Sequence, residues 1–271
     1  MARHRRCLRQ GPRCEGRRSV LSDVDAPDWL ARSDGLKLAV RHRTGRTDKP
    51  TLVFLPGYAS DMRGGKAVAL DAWAAATGHA MLRLDYAGCG ESEGAFADGT
   101  LASWRDDARF AVERLVDGPV LLVGSSMGGW IALLLAQALG DRVAGLVGIA
   151  AAPDFTQWGF TDAERGTLVA EGRLLRQSDY GPEPMLTTHG FWASGQANLL
   201  LDGGIAYAGP VRLLQGQRDD AVPWEVALRI AGALRSDDVQ VTLIKDGDHR
   251  LSRDADIALL IATIERLMET L

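Results

Sequence analysis

A chain of 271 residues with 46% hydrophobic and 24% charged side chains has the composition of an ordinary soluble globular protein, long enough for one large α/β domain with an inserted subdomain. No apolar run approaches the roughly 18 residues that a membrane span requires, so stable membrane insertion is not expected. Seven arginines against one acid (Glu15) lie in residues 1–18; setting that +6 aside from the net −4 leaves −10 on the rest, which argues against a nucleic-acid surface.

Residues 1–27 form a basic tail. Its Arg-rich, acid-poor start resembles a mitochondrial targeting segment, but it lacks an apolar helical face, and no apolar stretch follows that could serve as a secretory signal. The chain uses 27 arginines against 4 lysines, which suggests a GC-rich bacterial genome. The expectation is a disordered extension on a cytoplasmic bacterial protein, with the mitochondrial matrix as the alternative if the tail is a targeting segment. Cys7, Cys14 and Cys89 have neither a disulfide framework nor zinc-ligand spacing, which fits a reducing compartment and no metal.

From residue 28 the elements follow one another regularly. Trp29–Arg32 and Leu36–His42 read as strands around the turn Ser33-Asp34-Gly35. Thr51–Leu55 is a buried-strand run ended by Pro56-Gly57. An alanine-rich helix spans 66–77, a strand His79–Leu84, and an amphipathic helix Leu101–Leu115. Val120–Val123 is a strand, Trp130–Leu139 a helix stopped by Gly140, and Val143–Ile149 a strand. This alternation predicts a mainly parallel, doubly wound sheet. The rhythm breaks over about 151–208, where a helix over Asp162–Arg176 and an aromatic patch at Phe191-Trp192 are expected. It resumes with the strand Val211–Leu214, a helix near Trp224–Leu234, the strand Val239–Ile244 and a last helix from Ala255. The interruption reads as a helical lid over the carboxyl ends of the strands, where open α/β sheets bind ligands.

The chemistry centres on Gly124-Ser125-Ser126-Met127-Gly128, a G-x-S-x-G strand-to-helix turn. A serine at the tip of such a turn has a strained backbone and tolerates only small neighbours, and the following helix aims its free N–H groups at developing negative charge. A serine nucleophile needs a base and a group to orient that base. In α/β-hydrolase architecture these follow in the order serine, acid, histidine. Of His4, His42, His79, His189 and His249, only His249 follows both the serine and a strand-end acid. The acid is Asp219 or Asp220. The spacing G-x-x-D-x-x-V-P from Gly216 to Pro223 favours Asp219, leaving Asp220 to cap the loop or the next helix. Asp246 and Asp248, beside Gly247, read as turn residues. The oxyanion donors are the backbone N–H groups of Met127 and, after the strand ending at Leu55, Tyr58. Trp130, Trp224 and the aromatics of the lid are candidates for an acyl pocket. Gly88 and Gly90 lack the third glycine of a dinucleotide loop, so no cofactor is expected.

With these residues placed, residues 28–271 resemble the α/β-hydrolase superfamily, with Pro56-Gly57-Tyr58 standing where His-Gly is commoner. Residues 54–62 (FLPGYASDM), 85–88 (DYAG), 124–130 (GSSMGGW), 219–224 (DDAVPW) and 248–250 (DHR) are similar to the palmitoyl-protein thioesterases among the α/β-hydrolase-domain-containing proteins. The resemblance implies deacylation of S-acylated cysteines and hydrolysis of acyl-glucuronide esters. The expected partner is thus a small-molecule or acylated-protein substrate. The expected activity is ester or thioester hydrolysis through Ser126, His249 and Asp219; a binding module with an idle triad, or a lyase or haloperoxidase-like enzyme, are the alternatives.

Overall fold

The computed structural model describes residues 26–177 and 184–271; the basic tail through residue 25, with Cys7 and Cys14, lies outside them. The chain opens with β1 (Asp28–Ala31) and β2 (Lys37–Arg43), joined by the expected turn, in which Gly35 takes φ +88°. Next come β3 (Thr51–Leu55), α1 (Gly65–Thr77), β4 (Met81–Leu84) and α2 (Leu101–Leu115). They are followed by β5 (Val120–Ser125), α3 (Met127–Leu139) and β6 (Val143–Ile149). The insertion contains α4 (Phe155–Trp158), α5 (Asp162–Glu171), β7 (Arg173–Arg176), β8 (Met185–Thr188) and α6 (His189–Gln196). The chain closes with β9 (Val211–Gly216), α7 (Glu225–Ala233), β10 (Val239–Ile244) and α8 (Asp254–Thr270).

Eight strands form one sheet in the order β1-β2-β4-β3-β5-β6-β9-β10. β2 pairs antiparallel with both its neighbours, and every pair from β4 to β10 is parallel. The strand order reverses at β3 and β5. The chain steps from β3 to β4 on one side, then crosses back to place β5 on the other, so the connections leaving β3 and β5 part at their carboxyl ends and open a crevice there.

Alternation along the central strands sorts side chains between two cores. Val53, Leu55 and Leu122 pack with Trp104, Trp130 and Ile230, on the face covered by α2, α3 and α7. Leu52, Phe54, Leu121 and Val123 pack with Leu70, Ile264 and Leu267, on the face covered by α1 and α8. Strands buried on both faces read as continuous apolar runs because each neighbouring side chain meets a different helix layer.

The insertion differs from expectation in one respect. The helix expected over 162–176 stops at Gly172, which takes φ +74° and lets its N–H return to Leu168 O. Residues beyond it form β7, paired antiparallel with β8 in a two-stranded sheet. Both strands are half-buried rather than core strands, so their side chains carry little of the buried-strand signal. Both ends of the insertion meet at one side chain. Asp154, fully buried, accepts hydrogen bonds from the backbone N–H groups of Leu200 (2.9 Å) and Leu201 (2.8 Å).

Candidate active site

The turn between β5 and α3 holds Ser126 at φ +54°, ψ −120°, a conformation that costs on the order of 1–3 kcal/mol for a residue with a side chain and survives only where its surroundings over-determine it. They do so here. The Ser126 N–H donates to Ile149 O at 2.9 Å, and Ser126 O accepts from Gly129 N and Ala152 N, which locks the turn to the end of β6. A Cβ on Gly124 would stand 2.3 Å from Gly128 O, and one on Gly128 only 2.0 Å from Leu55 O. The glycines of the motif are therefore enforced by the close approach of backbone to backbone.

The candidate base, His249, arrives on the loop after β10. His249 Nε2 lies 3.1 Å from Ser126 Oγ, and Nδ1 lies 2.9 Å from Asp219 Oδ2, across sequence separations of 123 and 30 residues. Asp219 is on the loop after β9, with its side chain fully buried. Its Oδ1 accepts from the N–H groups of Ala221 (2.9 Å) and Val222 (2.8 Å), and Oδ2 also accepts from Gln215 Nε2 at 2.9 Å. The two loops meet backbone to backbone, with Arg218 N–H donating to Gly247 O at 2.9 Å. A Cβ on Gly216 would stand 2.3 Å from that same oxygen. Ser126, His249 and Asp219 thus form one continuous hydrogen-bonded line, with the tautomer set by Asp219 accepting the Nδ1–H and leaving Nε2 to face the serine.

The oxyanion candidates flank Ser126. Register pairs Leu55 with Gly124, which brings the loop after β3 beside the elbow. A Cβ on Gly57 would lie 3.3 Å from Ser126 Cβ. Met127 is the first residue of α3, so its N–H belongs to the first turn, which has no intrahelical acceptor. Gly57, Tyr58 and Ser126 line a cavity of about 880 Å³. Its lining mixes apolar side chains (Tyr58, Phe96, Phe155, Trp158, Met185 and Leu186) with polar and charged ones (Ser60, Asp61, Lys66, Arg176, Asp220 and Arg250). Burial, with the charge of Arg250 beside it, pulls the Lys66 ammonium down to a pKa of about 8.

The family model for the alpha/beta hydrolase fold matches residues 50–174. The mitochondrial palmitoyl-protein thioesterase ABHD10 of Mus musculus is 39% identical over 247 residues, which span 90% of this chain and 82% of the mouse protein. The chain belongs to the α/β-hydrolase family. A putative hydrolase from Agrobacterium vitis S4 superposes with a TM-score of 0.83 at 40% identity, covering 89% of this chain and 97% of that one. Alpha/beta hydrolase domain-containing protein 10 from mouse superposes with a TM-score of 0.84 at 37% identity, covering 90% and 99%. The protein is a hydrolase of the ester-cleaving class.

Several expected pocket residues of this hydrolase lie elsewhere. Trp130 is fully buried beneath the cavity, its Nε1–H donating to Asn198 O at 3.1 Å and its ring edge-on to Phe155. A helix-borne tryptophan four residues past the elbow serine points back under the turn into the core. Trp224 is half-buried at the start of α7 and does not line the cavity. Asp220 lines the cavity mouth rather than capping α7, whose N-cap position is Trp224. Of the insertion's aromatics, Phe155 and Trp158 reach the cavity; Phe191 packs behind Tyr58 and Trp192 bonds Thr156 O. Asp246 and Asp248 are turn residues as expected, pairing with Arg253 and accepting from Leu251 N.

Gln215 escaped the sequence reading. It is fully buried, and besides Asp219 its Nε2 reaches Val222 O and Gly216 O, both at 3.3 Å. Among the described residues its Oε1 has no hydrogen-bond partner. An orphan acceptor of that kind costs about 1–3 kcal/mol. A signal was present: a lone amide in a Val/Leu strand, four residues before the acid, has no apolar reason to be there.

Proposed function

We propose that this hydrolase cleaves carboxylic esters or thioesters through an acyl-enzyme on Ser126. The observation that carries the reading is the position of His249, within hydrogen-bond reach of both Ser126 Oγ and Asp219 Oδ2. Ser126 Oγ attacks the acyl carbonyl while His249 Nε2 takes its proton, and Asp219 holds the imidazolium that forms. The carbonyl oxygen, now negative, sits between the N–H groups of Met127 and Tyr58. His249 returns the proton to the leaving thiol or alcohol. Water, deprotonated by His249, then releases the acyl group from Ser126.

The apolar side chains lining the cavity suit an acyl chain, and its polar and charged ones suit a hydrated leaving group. This mixed lining, with the similarity to thioesterases named for palmitoyl-protein, supports S-acylated cysteine as the substrate class. The arginine-rich composition supports the cytoplasm of a bacterium as the working compartment; the mitochondrial names of the relatives support the matrix, should the tail act in targeting.

Intact-mass measurement after exposure to a fluorophosphonate tests the mechanism. The expected result is one adduct per chain, lost in Ser126→Ala together with turnover of p-nitrophenyl acetate. An adduct retained in Ser126→Ala, or full turnover by that variant, overturns the nucleophile assignment. A panel of p-nitrophenyl esters and acyl-thioesters then reads chain length and leaving group; a preference confined to acetyl esters overturns the S-acyl substrate class.

A further inference from the structure

Tyr58 occupies two positions at once. Its backbone stands on the loop after β3, beside the elbow, while its side chain runs into the insertion. The hydroxyl donates to Leu186 O in β8 at 2.7 Å, and the ring packs on Phe191 of α6 with centroids 4.6 Å apart. Trp104 of α2 and Phe155 of α4 complete edge contacts at 5.8 and 6.1 Å.

We propose that Tyr58 is a positioning residue through which the β7–β8 hairpin sets the oxyanion donor: the hydroxyl bond to Leu186 O holds the ring, and the ring holds the Tyr58 N–H at the distance the reacting oxygen needs. This inference rests on the acyl-enzyme reading above.

The loop is pinned on either side of Tyr58, where the Tyr86 hydroxyl donates to Pro56 O at 3.2 Å and Met62 N–H donates to Asp85 Oδ1 at 2.7 Å, and is looser between those pins. Ser60 N–H donates to Gly57 O at a long 3.2 Å, and Ala59 sits at φ +52°, an unfavourable conformation for a residue with a Cβ. Helix and strand geometry fix the Met127 donor, because it begins α3. The Tyr58 donor lies in the span between the Pro56 and Met62 pins, where its anchored side chain adds the remaining hold. An oxyanion donor is effective only within about 2.7–3.1 Å of the developing charge, and a small displacement forfeits much of a contribution on the order of 3 kcal/mol. The polar anchor of the side chain is the bond to β8, part-buried at the edge of the cavity. The insertion then does more than cover the cavity: it completes the catalytic geometry from a distance.

Tyr58→Phe keeps the ring and the backbone N–H and removes only the anchor. Steady-state hydrolysis of p-nitrophenyl acetate, inhibition by benzeneboronic acid and fluorophosphonate titration are measured on the full chain. The expected result is a kcat about tenfold lower with KM within twofold, and a boronate inhibition constant about tenfold weaker, since the boronate adduct on Ser126 mimics the tetrahedral oxyanion. The fluorophosphonate still titrates one Ser126 per chain. A kcat and a boronate constant both within twofold of wild type overturn the proposal, even where Tm falls, because a purely structural role moves stability alone. If wild type itself takes no adduct at Ser126, the acyl-enzyme reading fails first, and that result is separate from any effect at Tyr58. Should Tyr58→Phe fold poorly, the same kcat and boronate constants are read on Tyr58→Trp, which keeps an aromatic ring and the backbone N–H but cannot place a hydroxyl on Leu186 O: constants within twofold of wild type in that variant likewise overturn the proposal.

Discussion

Two buried aspartates divide the molecule. Asp219, at the carboxyl edge of the sheet, accepts from the N–H groups of Ala221 and Val222 and presents its other oxygen to His249. Asp154, at the neck of the insertion, accepts from Leu200 and Leu201 N–H and presents nothing. The first turns a rigid edge into a reactive one, where strands buried on both faces fix every loop end. The second staples the two ends of a segment with half-buried strands and exposed side chains such as Val169 and Leu175. The proposed chemistry of this hydrolase thus sits on the sheet, while the insertion beside its cavity is held by polar pins such as Asp154.

The sharpest break of that comparison is Asp219→Asn. The amide cannot select the Nδ1–H tautomer of His249, and kcat is expected to fall by about 10⁴ with little change in stability, as read by turnover and urea denaturation. Asp154→Asn is expected to do the reverse. One oxygen becomes an NH₂ facing a backbone N–H, at a cost of about 2 kcal/mol. Limited proteolysis should then cut first within 151–208, whereas fluorophosphonate still labels Ser126. Cleavage appearing first outside the insertion would mean that Asp154 braces the sheet instead.

Gln215→Met tests how far the rigid edge extends beyond Asp219. The near-isosteric side chain removes a donor to Asp219 and an orphan acceptor together. Stability should therefore stay within about 1 kcal/mol, while kcat falls about tenfold, the effect of one hydrogen bond to a charged group. An unchanged kcat would confine Gln215 to packing. The smallest effect concerns Lys66 in the cavity lining. Its folded-state pKa of about 8 lies below the ordinary 10.5, so between those values the unfolded chain binds the proton that the folded chain has released. Stability from this group is accordingly lowest below pH 8 and rises as pH climbs toward 10.5. Thermal unfolding of Lys66→Met should show its Tm difference from wild type drifting downward across that window, on the order of a few °C. A difference that stays constant with pH would mean that the ammonium is not desolvated.

Much of the edge was legible because its constraints are local and periodic. The G-x-S-x-G turn, the apolar runs of β3 and β5 and the position of Asp219 before Val222-Pro223 each follow from steric or hydrogen-bonding demands over a few residues. His249 could be found by elimination, since chain order restricts which histidine reaches the edge. The basic tail was legible only as composition. Other assignments needed the fold. Trp130 and Trp224 looked equally able to line a pocket, and only the packing of α3 and α7 shows that they do not.

By itself, then, the sequence determined the parallel sheet and the elbow, and singled out the histidine and aspartate that meet beside it, because buried strands and a crowded turn admit few residue types. The tertiary structure decided which aromatics face the cavity, that Gln215 contacts Asp219, that residues 173–176 form a strand, and that Tyr58 reaches β8. Those facts depend on contacts between residues as many as 128 positions apart, between surfaces only partly buried. Partial burial leaves a side chain free to be apolar or polar, so no periodic pattern records which neighbour it meets.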